Sequence, residues 1–224
     1  MASSSTQPIA TADKSILIPV MTGLTLEGHE PYKYLTSDDD QDEFNRVSCI
    51  SYFPDGKQMI SGSRDKTIRR WDLRKGKEIE KDRQICENVE AVGVSRNGRW
   101  VVIAGGHGIK VSEVETGIVR TLFEDEWIDY IDISADSTLL AGVSHRKVRV
   151  WNLDTGELVA GPFDIGSFPD AFRFSEDFRK LAVSSYDSDS EECHLEVWDV
   201  QTQKLDVQRS TRSFLGYYLL ESES

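Results

Sequence analysis

The chain has 224 residues, 39 of them acidic and 26 basic, for a formal net charge of −13. With 38% apolar residues it can bury a real core, and its acidity argues against a phosphate backbone as a general partner, so no nucleic acid is expected and a basic protein or peptide is. No apolar run approaches the ~20 residues needed to span a membrane.

Residues 1–23 read as a flexible N-terminal segment. Its longest apolar stretch, Ile16 to Met21, is short, broken by Pro19 and without a basic flank, so no signal peptide is expected. Cys49, Cys86 and Cys193 are odd in number and far apart, which excludes a disulfide framework and any Cys-x-x-Cys metal site. A reducing setting is expected, cytoplasmic or nuclear.

From residue 24 to 205 the chain repeats itself. Four segments end alike, at Trp71-Asp72-Leu73, Ser112-Glu113-Val114, Trp151-Asn152-Leu153 and Trp198-Asp199-Val200. Each is followed by a short polar turn. A second marker keeps step: Phe53-Pro54-Asp55-Gly56, Ser95-Arg96-Asn97-Gly98, Ser134-Ala135-Asp136-Ser137 and Ser175-Glu176-Asp177-Phe178. Turn residues there separate short β-branched runs, such as Val47 to Tyr52 and Gln58 to Ser61, or Ile128 to Ile133 and Leu139 to Val143. No stretch keeps a helical period. The expected units are about 24–77, 78–117, 118–157 and 158–205, all antiparallel β. The remainder, 206–224, shows no blade pattern.

A period near ~40 with a Trp-Asp ending is a propeller-blade signature. The first unit, Ser61-Gly62-Ser63-Arg64-Asp65-Lys66-Thr67-Ile68-Arg69-Arg70-Trp71-Asp72, resembles the WD40-repeat consensus, and Gly28-His29 upstream resembles the family's Gly-His start. The resemblance implies a hydrogen-bond network of His29, Ser61, Asp65 and Trp71 within one blade. The other units depart from the pattern: Ser112 replaces the Trp in the second, Gly106 and His145 fall at the Asp position, and Tyr186 to Glu192 is an insert in the fourth. Propellers use 4–8 blades. Three arrangements fit four repeats: a truncated or shortened member of a longer family, a homodimer whose two chains complete a ring, or a small closed ring. Met21 to Glu27 stands where the outer strand of a preceding blade would lie.

The resemblance also implies partner binding on the face that carries the inter-blade loops. Registering the turns gives a first set of contact positions, Arg46, Asn88, Trp127 and Phe168, a second, Ser48, Glu90, Asp129 and Asp170, and a single third, Arg64. Acids beside aromatic anchors suit a peptide carrying Arg or Lys. The competing reading packs Trp127 and Phe168 between blades and leaves the acids solvated.

Other features carry less chemistry. The acidic run Asp38-Asp39-Asp40-Gln41-Asp42-Glu43 lacks the Gly and ligand spacing of a calcium loop and reads as a solvated loop. Asp187, Asp189, Glu191 and Glu192 form a similar loop, with Ser188 and Ser190 as candidate phosphorylation sites. The histidines at 29, 107, 145 and 194 share no metal-ligand spacing. Gly105-Gly106-His107-Gly108 reads as a tight hairpin with no following helix to hold a phosphate. No catalytic residue, cofactor or metal is expected. The expected function is a non-enzymatic protein-interaction scaffold. Its rivals are a poorly folded fragment and a hydrolase using carboxylates such as Asp129 and Asp170.

Overall fold

The computed structural model describes residues 26, 28–29, 47–84, 88–124 and 126–212. These residues form sixteen strands. The first sheet holds β1 (Val47–Tyr52), β2 (Gln58–Ser63), β3 (Thr67–Asp72) and β4 (Lys77–Gln84). The second holds β5 (Val89–Val94), β6 (Trp100–Gly105), β7 (Gly108–Glu113) and β8 (Val119–Phe123). The third holds β9 (Tyr130–Ile133), β10 (Leu139–Ser144), β11 (Lys147–Asn152) and β12 (Leu158–Asp164). The fourth holds β13 (Phe168–Phe174), β14 (Lys180–Asp187), β15 (Glu192–Asp199) and β16 (Lys204–Arg212). Each sheet is a four-stranded antiparallel meander in chain order.

Short side chains at the turns impose this folding. Between the first two strands of each sheet a carboxylate or amide accepts the backbone N–H two residues on: Asp55 from Lys57, Asn97 from Arg99, Asp136 from Thr138 and Asp177 from Arg179. The next turn residue takes a left-handed conformation, Gly56 and Gly98 freely but Ser137 and Phe178 against their preference. Ser137 has a compensating role, because its hydroxyl accepts the N–H of Asn97 in the neighbouring sheet at 3.1 Å. Between the third and fourth strands Asp72, Asn152 and Asp199 cap in the same way. These bonds hold the Asp72, Asp177 and Asp199 carboxyls below the usual carboxylate range.

Each of the first three sheets takes its fourth strand from the start of the following repeat, so these sheet boundaries lie one strand downstream of the repeat boundaries. Residues 206–212, grouped with the patternless tail in the sequence, extend β16. Their register along β15 is continuous from Asp199↔Lys204 to Glu192↔Arg212 apart from one bulge. Alternating polar residues hid this strand, because one of its faces is open to solvent.

The sheets stand side by side as blades, with β1 against β5, β5 against β9 and β9 against β13. Each of the three junctions carries its own apolar cluster. Phe53 and Ile60 meet Val92 and Ile103; Val102 and Ile109 meet Leu140 and Trp151; Val143 and Val148 meet Phe172 and Val183. Among the described residues the first and last blades share no such junction. The described blades therefore form an open arc.

Equivalent positions show what the arc leaves bare. The residue three before the blade-ending Trp or its replacement faces the following blade. Ile109 and Val148 are fully buried there, while Leu195 of the last blade is 45% exposed. On the opposite face Val92 and Phe172 are buried against the preceding blade, while their counterpart Ile50 in the first blade is 54% exposed. The same side chain thus contributes very differently by position. Ile109→Ala is expected to destabilise the chain by about 2–5 kcal/mol and Leu195→Ala by less than about 1 kcal/mol, measured by urea unfolding. Equal losses at the two positions would mean that the last blade is covered.

Candidate partner-binding face

Two groups of side chains organise the edge of the arc that carries the inter-blade loops and the hairpin turns between second and third strands. The first is the network of blade one, which the structure assembles from His29, Ser61, Asp65 and Trp71. The His29 Nδ1–H reaches Asp65 Oδ2 at 2.9 Å, and Ser61 Oγ lies 2.7 Å from His29 Nε2. The Trp71 indole N–H donates to Ser61 Oγ at 2.8 Å. Thr67, which was not among the expected network residues, donates both its hydroxyl, at 2.6 Å, and its backbone N–H, at 2.9 Å, to Asp65 Oδ1. With the Nδ1–H tautomer of His29, the Ser61 hydroxyl donates to Nε2 and the side chains of this network complement one another. Gly28 is required beside it, since a Cβ there would meet the Trp71 ring at 2.9 Å.

Blades two and three dispense with this network because their hairpins are shorter. In blade two Gly105 pairs Gly108, and in blade three Ser144 pairs Lys147, leaving two-residue turns with no position for the Asp. His145 sits in the left-handed region such a turn needs. Blade three uses Glu126 instead, which accepts two N–H bonds from Arg149 at 3.1 and 3.2 Å and the Ser144 hydroxyl. These bonds, led by the serine, hold the Glu126 carboxyl below its usual range. In blade four the buried Glu196 accepts the Trp198 indole N–H at 3.1 Å and a Gln208 amide at 3.2 Å.

The second group comprises the predicted contact positions, and the structure splits them in two. At blades one and two they are engaged within the fold. The Ser48 hydroxyl donates to the carbonyls of Gly62 and Val89, stitching the two blades together. Arg64 lies 2.9 Å from Glu90, whose side chain is only 11% exposed. Asn88 takes a left-handed conformation, and its carbonyl accepts the Gly106 N–H. Arg46 and the acidic run from Asp38 to Glu43 lie outside the described residues.

At blades three and four the positions face outward. Phe168 is 58% exposed, Trp127 and Asp129 are half-buried, and Asp170 is exposed. Burial pushes the Asp129 carboxyl up, against a hydrogen bond from the Trp127 side chain and the nearby His145. Around them lies a cleft of about 540 Å³ lined by Glu126, Ser144, His145, Arg146, Lys147, Asp164, Gly166 and Phe168. Arg146 and Lys147 were not among the residues singled out in the sequence. Arg146 stacks its guanidinium 4.8 Å from the Phe168 ring centre and donates to the Gly166 carbonyl at 3.0 Å. The sequence signal was the run His145-Arg146-Lys147 at a turn; it became legible as a site only once Phe168 stood beside it. Of the expected acidic positions, Glu90 is ion-paired, Asp129 is half-buried and Asp170 is exposed.

Among the described residues no cluster of His, Cys, Asp or Glu could hold a metal ion, and no helix is long and apolar enough to cross a membrane. The hairpin loop from Asp187 to Glu192 is closed locally, with Asp187 accepting the Asp189 N–H and the Ser190 hydroxyl.

Comparison with known proteins agrees with this architecture. Residues 24–72 match the family model for the WD domain, G-beta repeat. The chain is 26% identical over 165 residues to the WD repeat-containing protein 26 homolog of Arabidopsis thaliana, covering 72% of this chain and 28% of that protein. It is 28% identical over 119 residues to the small ribosomal subunit protein RACK1 of Schizosaccharomyces pombe, covering 48% of this chain and 38% of that one. The chain thus spans well under half the length of these relatives. Among solved structures, Kuenenia stuttgartiensis hydrazine synthase superposes with a TM-score of 0.66 at 16% identity, over 83% of this chain and 53% of that chain, a likeness of fold alone.

The network of blade one predicts a graded response to mutation. Trp71→Phe, which keeps the ring and loses the N–H, is expected to cost about 1–2 kcal/mol. Asp65→Ala, which leaves His29 and Thr67 without their shared acceptor, is expected to cost about 3 kcal/mol or more by thermal or urea unfolding. Equal stability of Asp65→Ala and the parent would remove the network from the account of this blade. A consensus-like first repeat that matches the WD-domain model, three degenerate repeats in register and four meander blades give this chain a WD40-type propeller-blade architecture.

Proposed function

We propose that the chain is a non-enzymatic interaction scaffold that binds a protein or peptide on the loop face of blades three and four. WD40-repeat proteins as a class serve as protein-interaction platforms. The observation that carries the reading here is the exposed Phe168, which lines the cleft with Arg146 stacked on its ring. Exposed aromatics and arginines beside a concavity are the residue types that dominate interface energetics. The fold supplies rigidity, because each loop is short and anchored at both ends in a sheet. A cytoplasmic setting belongs to this reading.

Peptide selection on the purified chain tests it directly. Peptides enriched from a displayed library are expected to lose about 30-fold or more in affinity against Phe168→Ala or Trp127→Ala, the scale of an interface hot spot. They should also slow amide exchange at 126–129, 144–147 and 166–170. Selected peptides that bind both variants unchanged would place the binding surface elsewhere.

A second reading concerns the ends of the arc. Ile50 and Tyr52 on the first blade and Leu195 and Val207 on the last stand exposed at positions whose counterparts in the middle blades are packed. Two copies joined first blade to last blade would close a ring of eight, within the range propellers use. Light scattering is then expected to give twice the chain mass of 25.3 kDa, reverting to one chain on Leu195→Glu. A monodisperse single-chain mass for the parent would end the homodimer reading.

A further inference from the structure

The basic turn of blade three points to the charge of the partner. We infer that the cleft between blades three and four takes an acidic peptide segment, with carboxylates on Arg146 and Lys147 and an apolar side chain on Phe168. This rests on the reading of that face as a protein-binding surface and reverses the expectation of a basic partner drawn from net charge.

Of the acidic groups at the cleft, Glu126 is ion-paired with Arg149 and bonded by Ser144, Asp129 is hydrogen-bonded by the Trp127 side chain, and Asp164 is exposed with a single backbone partner, the Gly166 N–H at 3.4 Å. The cations are presented outward: Arg146 and Lys147, with His145 beside them, are exposed on the two-residue turn and its flank. Asp170, also exposed, stands at the side of β13.

Arg146 is the best-prepared of the cations. A guanidinium carries five N–H donors in a fixed fork, and Gly166 takes one of them. The Phe168 ring beneath it fixes the plane of the fork before any partner arrives. A donor already held in place loses less freedom on binding, and its fork matches a carboxylate. Phe168 in turn offers its remaining open surface to an apolar neighbour of that carboxylate.

The net charge of −13 does not oppose this at contact range. At physiological salt, exposed charges are screened beyond about 8 Å, so the excess acidity elsewhere slows approach more than it weakens a docked pair. The nearest groups decide the sign, and at this turn those are cations.

The test uses the full chain and a short fluorescein-labelled peptide of Asp and Glu with one central Leu, followed by fluorescence anisotropy. A peptide with Lys and Arg at the same places serves as comparator. The acidic peptide is expected to bind, the basic one to bind at least about tenfold more weakly, and affinity to fall as salt rises. Arg146→Glu with Lys147→Glu should lower affinity at least about tenfold, and Phe168→Ala about three- to tenfold. If the double reversal lowers the melting temperature, Arg146→Gln with Lys147→Gln replaces it with the same expectation. The inference is overturned if the basic peptide binds as well as the acidic one. It is equally overturned if the charge variants bind the acidic peptide unchanged, or if phosphatidylserine vesicles or a single-stranded oligonucleotide bind more tightly. Should the acidic peptide fail while library-selected peptides still protect 144–147 and 166–170, only the partner's charge is wrong and the scaffold reading stands. Should both fail, both readings fall.

Discussion

A β-meander of four strands has two faces, and in this chain both faces of the middle blades are apolar. A sheet of that kind cannot stand alone in water; it must be covered on each side by another. Fully burying a single Ile or Val side chain is worth about 1.5–3 kcal/mol, and each junction gathers several. The pressing together of neighbouring blades is therefore the interaction on which the rest depends. It sets the order of the blades, the outward aim of their turns and the place of the cleft between blades three and four.

Against that background the polar networks are local solutions to a shared problem. Blades one, three and four hold polar groups near the third strand, and each answers differently. Blade one has room for an Asp in its hairpin and uses His29, Ser61, Thr67 and Trp71 around it. Blade three, with a two-residue turn, brings Glu126 from the preceding loop to Arg149 and Ser144. Blade four places Glu196 within the strand beside its own Trp198. The loss of the Asp in blades two and three is thus a change of hairpin length. Because the blade-three turn no longer folds an Asp inward, His145 and Arg146 point outward, which opens a site.

The contact positions illustrate how an aligned set can divide in three dimensions. Ser48, Asn88 and Glu90 occupy the same register as Trp127, Asp129, Phe168 and Asp170, yet Ser48 and Glu90, with Arg64, help to seal the junction of blades one and two. Ser48 bonds two backbone carbonyls and Arg64 faces Glu90. Register gives the location of a residue on the face, but only its neighbours decide whether it is available to a partner.

Much of the architecture was legible from spacing. The Trp-Asp endings, the Pro-Asp-Gly-like turns and the short β-branched runs give four all-β units, because turn chemistry and strand period are local properties of the chain. The His29, Ser61, Asp65 and Trp71 set was legible for the same reason, since its members lie on one blade at family spacing. Strand β16 was not, because its alternation of charged and apolar residues lacks a covered face. Nor were Arg146 and Lys147, whose meaning depends on Phe168 from the next blade. Charge pairing, burial and the open ends of the arc are relations between residues far apart in sequence. The sequence by itself determined the blades and their order through local turn and strand preferences. Which carboxylates are neutralised, which cations face outward and which apolar faces stay bare was decided only by packing one blade on the next.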